Sequence, residues 1–369
     1  MIRSNGFSRF VVFTMALLVA AAAMAADGLP LLRPEIDGDW WTVAGDPDLG
    51  DWTRDKQQPV DFAVWQAADG SWQLWSCIRQ TGCGGNTRLF YGWEGARLTE
   101  ANWRPVGIAM TADPRYGEAL GGLQAPHVIR VGERFEMLYG NWHGICAATS
   151  DDGKRFERVV GRDGSTQLFS EDTPEMRANT RDAMVLVVGA GEEARGRMAD
   201  PRSAPAGHMA AGEADAAEDP RSAPAGHIAG HIAGHTIYYC YYTGYPNRVG
   251  AVYCRTSGDL RQWSDSRVVA RGGQAGDGPY SAECPHVVAR HGWYYLFRTQ
   301  RYGQNAVTSV YRSADPLDFG VDDDRCFVGT LPVAAPEIVR VGGQDYLAAL
   351  LPSLKGIQIA RLAWAPERR

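Results

Sequence analysis

The chain has 369 residues, 45% of them hydrophobic and 22% charged, with a formal net charge of −6 and no basic run. That balance excludes nucleic acid and an anionic membrane surface as principal partners. The 7 cysteines are too scattered for a disulfide scaffold and lack metal-site spacing, so they read as structural; Cys77 with Cys83 and Cys240 with Cys254 are the pairs an oxidising compartment would permit.

Residues 1–25 read as a secretory signal. Arg3 and Arg9 precede an apolar run from Phe10 to Ala22, which ends in the small-residue site Ala23-Met24-Ala25. The expectation is a secreted or periplasmic protein whose mature part, 26–369, forms one domain. No later run reaches the ~20 apolar residues of a membrane span. Trp40, Trp41, Trp52 and Trp65 gather around the first strand, where each either stacks on a sugar face or packs in a β core. That strand opens at Asp61 in VDFAVWQAADGSWQLWSC, with a tight turn at Asp69-Gly70.

A repeat then emerges. APHVIRVGERFEMLYG (125–140), CPHVVARHGWYYLFRT (284–299) and APEIVRVGGQDYLAAL (335–350) align without a gap, each reading as strand, glycine turn, strand. A second pattern places Ser, an Asp two residues on and an aromatic six residues on, at Ser150/Asp152/Phe156, Ser257/Asp259/Trp263 and Ser313/Asp315/Phe319. Short polar side chains there bond the turn backbone while the aromatic returns to the core. A degenerate unit opens at Asp182 (RDAMVLVVG) and resumes at TIYYCYYTG, interrupted by 189–235, where DPRSAPAGH occurs at 200–208 and again at 219–227. This composition cannot bury a core and predicts disorder, emerging from the face opposite the strand starts. Duplication accounts for the spaced His227, His231 and His235, with a metal-binding tail as the alternative.

Unit starts near 61, 126, 182, 285 and 336 predict an all-β, five-bladed β-propeller, with 27–60 and GIQIARLAW (356–364) closing the ring. Three acids, Asp61, Asp182 and Glu283, stand at the starts of innermost strands, which converge on the propeller axis. Two carboxyl groups flanking one bond, one protonated and one ionised, are what cleavage of a glycosidic bond requires, and a third nearby raises the acid by repulsion. Each acid also has a structural reading: a turn residue for Asp61, an ion pair with Arg181 for Asp182. Glu283 opens a strongly apolar strand, where an unpaired charge is expensive.

Glu283-Cys284-Pro285 resembles the motif of the general acid in glycoside hydrolase family 32, the invertase and levanase group, and the surrounding segment with YYLFRT resembles family 43, the arabinanases and xylosidases. Arg181-Asp182 is similar to the Arg-Asp-Pro motif of the former, and Asp61 sits where both place the nucleophile or base. The resemblance implies Glu283 as general acid, Asp61 as base or nucleophile, Asp182 as transition-state stabiliser, a carbohydrate substrate and no obligatory cofactor. A calcium ion occupies the channel of some relatives, but no ligand set for one is legible in this sequence. Ala183 and Phe62 stand where the families usually carry proline, marking a divergent member, and Asp46 in GDPDLG is the rival for the first role. Arg181, His127, His286 and Trp65 are the candidate substrate-binding residues, with structural histidines and core tryptophan as the alternatives. A sugar-binding propeller without catalysis, and a phosphorylase or transferase on the same scaffold, are the competing functions. The sequence leaves the oligomeric state open.

Overall fold

The computed structural model describes residues 31–189 and 236–367. The expected signal segment 1–25 and the expected insertion 189–235, apart from Gly189, lie outside the described residues.

Alternating apolar and polar residues make strands throughout, and the described residues contain no α-helix. After β1 (Leu32–Gly45) come four sheets built in chain order. They are β2 (Gln58–Gln66), β3 (Trp72–Arg79), β4 (Leu89–Gly95) and β5 (Arg104–Met110); then β6 (Gln124–Val131), β7 (Arg134–Gly140), β8 (Ile145–Ser150), β9 (Glu157–Arg158) and β10 (Gln167–Phe169). The third is β11 (Arg181–Val188), β12 (Ile237–Gly244), β13 (Ala251–Ser257) and β14 (Arg267–Arg271); the fourth is β15 (Glu283–Arg290), β16 (Trp293–Arg301), β17 (Val307–Ser313) and β18 (Phe327–Leu331). The fifth sheet takes β19 (Glu337–Val341), β20 (Gln344–Leu350) and β21 (Gly356–Pro366) from the C-terminal end and β1 from the N-terminal end as its outer strand.

First strands pack against one another in a closed ring, β2 to β6 to β11 to β15 to β19 and back to β2. The chain is therefore a five-bladed β-propeller. Closure depends on the β1–β21 seam, where Gly45 pairs with Gly356. A Cβ on Gly356 would lie 2.2 Å from the Ala44 carbonyl oxygen, so only glycine lets the two ends approach this closely.

The repeated Ser-Asp-aromatic pattern forms the turn after the third strand in the second, third and fourth blades. Ser150 donates to Asp152 Oδ1 at 2.8 Å, and Asp152 in turn accepts from the backbone N–H groups of Lys154 and Arg155. The aromatics return as expected: Phe156 packs edge-on against Trp65 and Trp75, Trp263 lies against Phe169, and Phe319 is fully buried. Side chains of this size contribute ~1.5–3 kcal/mol each on burial, which holds neighbouring blades face to face.

Candidate active site

The chemistry-bearing residues are positioned by a defect repeated in every blade. β2, β6, β11 and β15 each lose register with their neighbour once, between Val60 and Phe62, Gln124 and His127, Arg181 and Met184, and Glu283 and His286. There the backbone turns left-handed at a non-glycine residue: Asp61 (φ 39°), Ala125 (38°), Asp182 (58°) and Cys284 (47°), with Ala335 (50°) doing the same just before β19. Left-handed backbone costs such residues ~1–3 kcal/mol each, and a bulge of this kind re-aims the side chain that carries it. Four bulges and the matching left-handed turn at Ala335 bring five side chains around one end of the axis. The structural units thus begin at 61, 125, 182, 284 and 335, one residue earlier in three blades than the unit starts expected from the repeat. Glu283 is correspondingly not equivalent to Asp61 and Asp182; Cys284 is, and Glu283 precedes it.

A pocket of about 20 Å³ lies at that end, lined by Asp61, Asp182 and Cys284 with Ala125 and Ala335 completing the ring. Glu337 also lines it, whereas Glu283 does not and is tied to the group by Arg181: Nη2 donates to Glu283 Oε1 at 2.5 Å, and Nε lies 3.5 Å from Asp182 Oδ2. Arg181 is itself buried, donates Nη1 to the Asn179 carbonyl at 3.0 Å and stands 5.1 Å from the centre of the Tyr245 ring. Burial works against its charge, yet Glu283 and Asp182 together raise it well above the ordinary arginine value, so it is a fixed cation.

Asp182 is the most perturbed carboxyl. Burial pushes it up from the ordinary 3.8 to about 7, opposed by the Arg181 charge and reinforced by repulsion from Asp61 and Glu283. Its Oδ2 accepts the Cys284 backbone N–H at 3.2 Å, while Oδ1 is buried with no hydrogen-bond partner among the described residues. An orphaned oxygen on a pocket wall is a place for a ligand hydroxyl or a proton. Cys284 reaches the other side as well, its Sγ lying 3.2 Å from Asp61 Oδ1 and 3.2 Å from the Tyr302 hydroxyl. Burial raises this thiol well above its ordinary value and keeps it protonated.

Other expected site residues sit elsewhere. His127 and His286 are buried in the channel behind the pocket, their ring centres 6.4 Å apart, lining a cavity of about 360 Å³ with Glu337. Neither lines the pocket itself; both face the channel, whereas Met184 and Glu337, the corresponding residues of two other blades, line pocket and channel alike. His286 accepts the Ile338 N–H at 3.1 Å and lies 3.6 Å from Glu337 Oε1, whereas burial depresses His127 to about 4. Trp65 belongs to the core of the first blade. It is 6% exposed, donates to the Gly153 carbonyl at 2.8 Å and packs against Trp75 in the core, because it lies farther along β2 on the blade face. Asp46 is engaged by Gln57 and Lys355 outside the pocket. All seven cysteines are free; Cys240 and Cys254 face opposite cores because Cys254 pairs with Tyr241. Among the described residues no group of three or more His, Cys, Asp or Glu is arranged to hold a metal ion.

Sequence reasoning missed Cys284 and Tyr302 as members of the site and Glu337 as a channel residue. For Glu337 the signal was present: in the aligned repeats it occupies the place of His127 and His286.

No family model matches the sequence, and comparison with curated proteins gives no match. Solved structures do match in fold. A thermostable family-43 glycoside hydrolase aligns at 14% identity over 85% of this chain and 91% of its own, with a TM-score of 0.52. A GH32 beta-fructofuranosidase of Bombyx mori, in complex with sucrose, aligns at 14% identity over 95% of this chain and 69% of its own, with a TM-score of 0.53. An endo-1,4-beta-xylanase from Bacteroides thetaiotaomicron aligns at 13% identity over 84% and 95%, with a TM-score of 0.52. The chain shares the five-bladed propeller fold of these family-43 and GH32 hydrolases.

Proposed function

We propose that this protein is an exported glycoside hydrolase in which Asp61 is base or nucleophile, Glu283 the general acid and Asp182 the modulator between them. The observation that carries the reading is that Asp61 and Asp182 line one pocket from two blades and are bridged by Cys284, while Arg181 ties Glu283 of a third blade to Asp182. Hydrolysis of a glycoside needs one group to deliver a proton to the leaving oxygen and another to attack or to activate water, with no cofactor. Arg181 occupies Glu283 Oε1, which leaves Oε2 to carry the proton. Asp182, raised to about 7 by burial, can hold a proton at neutral pH and ionise as a positively charged transition state develops beside it. The secretory-type segment 1–25 supports export, and the fold shared with an endo-1,4-beta-xylanase and a sucrose-bound fructofuranosidase supports xylan- or fructose-containing glycans as substrates.

The Arg181 grip on Glu283 also suits a second reading, a glycan-binding propeller without turnover, in which the pair serves only to hold ligand hydroxyls. Reducing-sugar release from arabinans, xylans and fructans separates the two. Release that disappears in Glu283→Gln with the fold intact supports hydrolysis; measurable glycan binding with no release from any substrate overturns it.

A further inference from the structure

Tyr302 and Cys284 extend the site beyond the three carboxyl groups, in a chain of hydrogen bonds whose direction is set by proton counting. The Cys284 thiol has a single proton and two neighbours at 3.2 Å, Asp61 Oδ1 and the Tyr302 hydroxyl. A carboxylate oxygen accepts, so the thiol donates to Asp61 Oδ1. With its proton committed, Sγ can only accept from Tyr302, and the phenol must be the donor. Burial keeps both donors in their neutral, proton-bearing forms. Tyr302 follows β16 and precedes a short turn at Gly303–Asn305; it does not line the pocket, so it touches the reacting carboxylate only through sulfur. Cys284 meanwhile donates its backbone N–H to Asp182 Oδ2 at the left-handed turn of its strand.

We propose that Tyr302 is a positioning residue: its hydroxyl orients the Cys284 S–H bond onto Asp61, aiming one Asp61 oxygen and leaving the other for water or the anomeric carbon. This rests on the hydrolytic reading of the pocket for its consequence in turnover, but the hydrogen-bonded chain itself does not. Donation into sulfur strengthens the onward S–H···O bond through mutual polarisation, so loss of the phenol loosens Asp61 without removing any group from the pocket. The groups facing Asp61 and Cys284 are Asp182, Glu283 and the phenol, with Arg181 beyond them.

Infrared difference spectroscopy of the full chain against Cys284→Ala isolates the Cys284 S–H stretching band, and comparison with Tyr302→Phe, which keeps the ring, reads the effect of the hydroxyl. The band moves to higher frequency in Tyr302→Phe; an unmoved band overturns the chain of bonds whatever the protein's activity. On a glycan that the parent cleaves, Tyr302→Phe lowers kcat about five- to tenfold with KM within about twofold, the loss of one hydrogen bond felt after substrate is bound. Cys284→Ser, which preserves a single-proton donor, retains more kcat than Cys284→Ala. Unchanged kcat in Tyr302→Phe, or equal losses in the two Cys284 variants, overturns the positioning role. A moved band in a parent protein that cleaves nothing instead removes the hydrolytic reading and leaves the bonds standing.

Discussion

Replacing Asp182 with Asn isolates the cost of burying a third carboxyl beside Asp61 and Glu283. In the folded protein Asp182 is held up to about 7, against the ordinary 3.8 it regains on unfolding. Between those values the native state binds more protons than the unfolded state, so stability falls as pH rises through the window. The stabilising contribution is complete below about 4 and lost above about 7. A displacement of this size corresponds to roughly 4 kcal/mol, and relaxation around a buried, interacting group brings the expected effect to about 2–3 kcal/mol. Asn has nearly the same shape and keeps an oxygen for the Cys284 N–H, and Arg181 retains Glu283, so little but the charge is lost. Asp182→Asn should therefore match the parent near pH 4 and exceed it by about 2–3 kcal/mol near pH 8. Urea unfolding of both proteins at half-unit intervals from pH 4 to 9 gives the difference curve directly. A flat difference, or an Asn variant less stable at pH 8, would refute the burial argument.

Three further outcomes follow from the same geometry. Gly356→Ala drives a methyl group into the Ala44 carbonyl at the ring seam and should lower stability by about 1–3 kcal/mol in thermal unfolding, whereas an unchanged melt would mean the seam can open to accommodate it. Burial depresses His127 to about 4, so the stability it contributes is present above its ordinary 6.5 and lost as pH falls towards 4; His127→Gln should flatten the acid side of the stability profile, measured as the midpoint of urea unfolding. Trp65→Ala should cost about 3–5 kcal/mol while leaving KM on any cleaved glycan unchanged, and a raised KM without loss of stability would restore Trp65 to the binding surface.

The architecture was legible because a propeller repeats its physics. Three gapless hairpins and three Ser-Asp-aromatic turns impose the same alternation, the same turn chemistry and the same returning ring in different blades, and those are local properties that a linear sequence carries. The placement of Asp61, Asp182 and Glu283 near strand starts, and hence near one end of the axis, was readable for the same reason. The bulge was not: whether a strand inserts one residue and turns left-handed at Asp61 or at Ala125 depends on crowding of five strands around the axis, which no single unit contains. That one-residue offset decides that Cys284, not Glu283, is the equivalent of the two aspartates, that His127 and His286 face the channel rather than the pocket, and that Trp65 faces the core. It also decides the electrostatics, since the elevation of Asp182 arises from burial and from residues 61 and 283, far away along the chain. The sequence by itself determined the blades, their number and the standing of Asp61, Asp182 and Glu283 near strand starts; tertiary structure alone determined their register around the axis, because side-chain direction in a strand reverses with every residue and only ring closure fixes where the count begins.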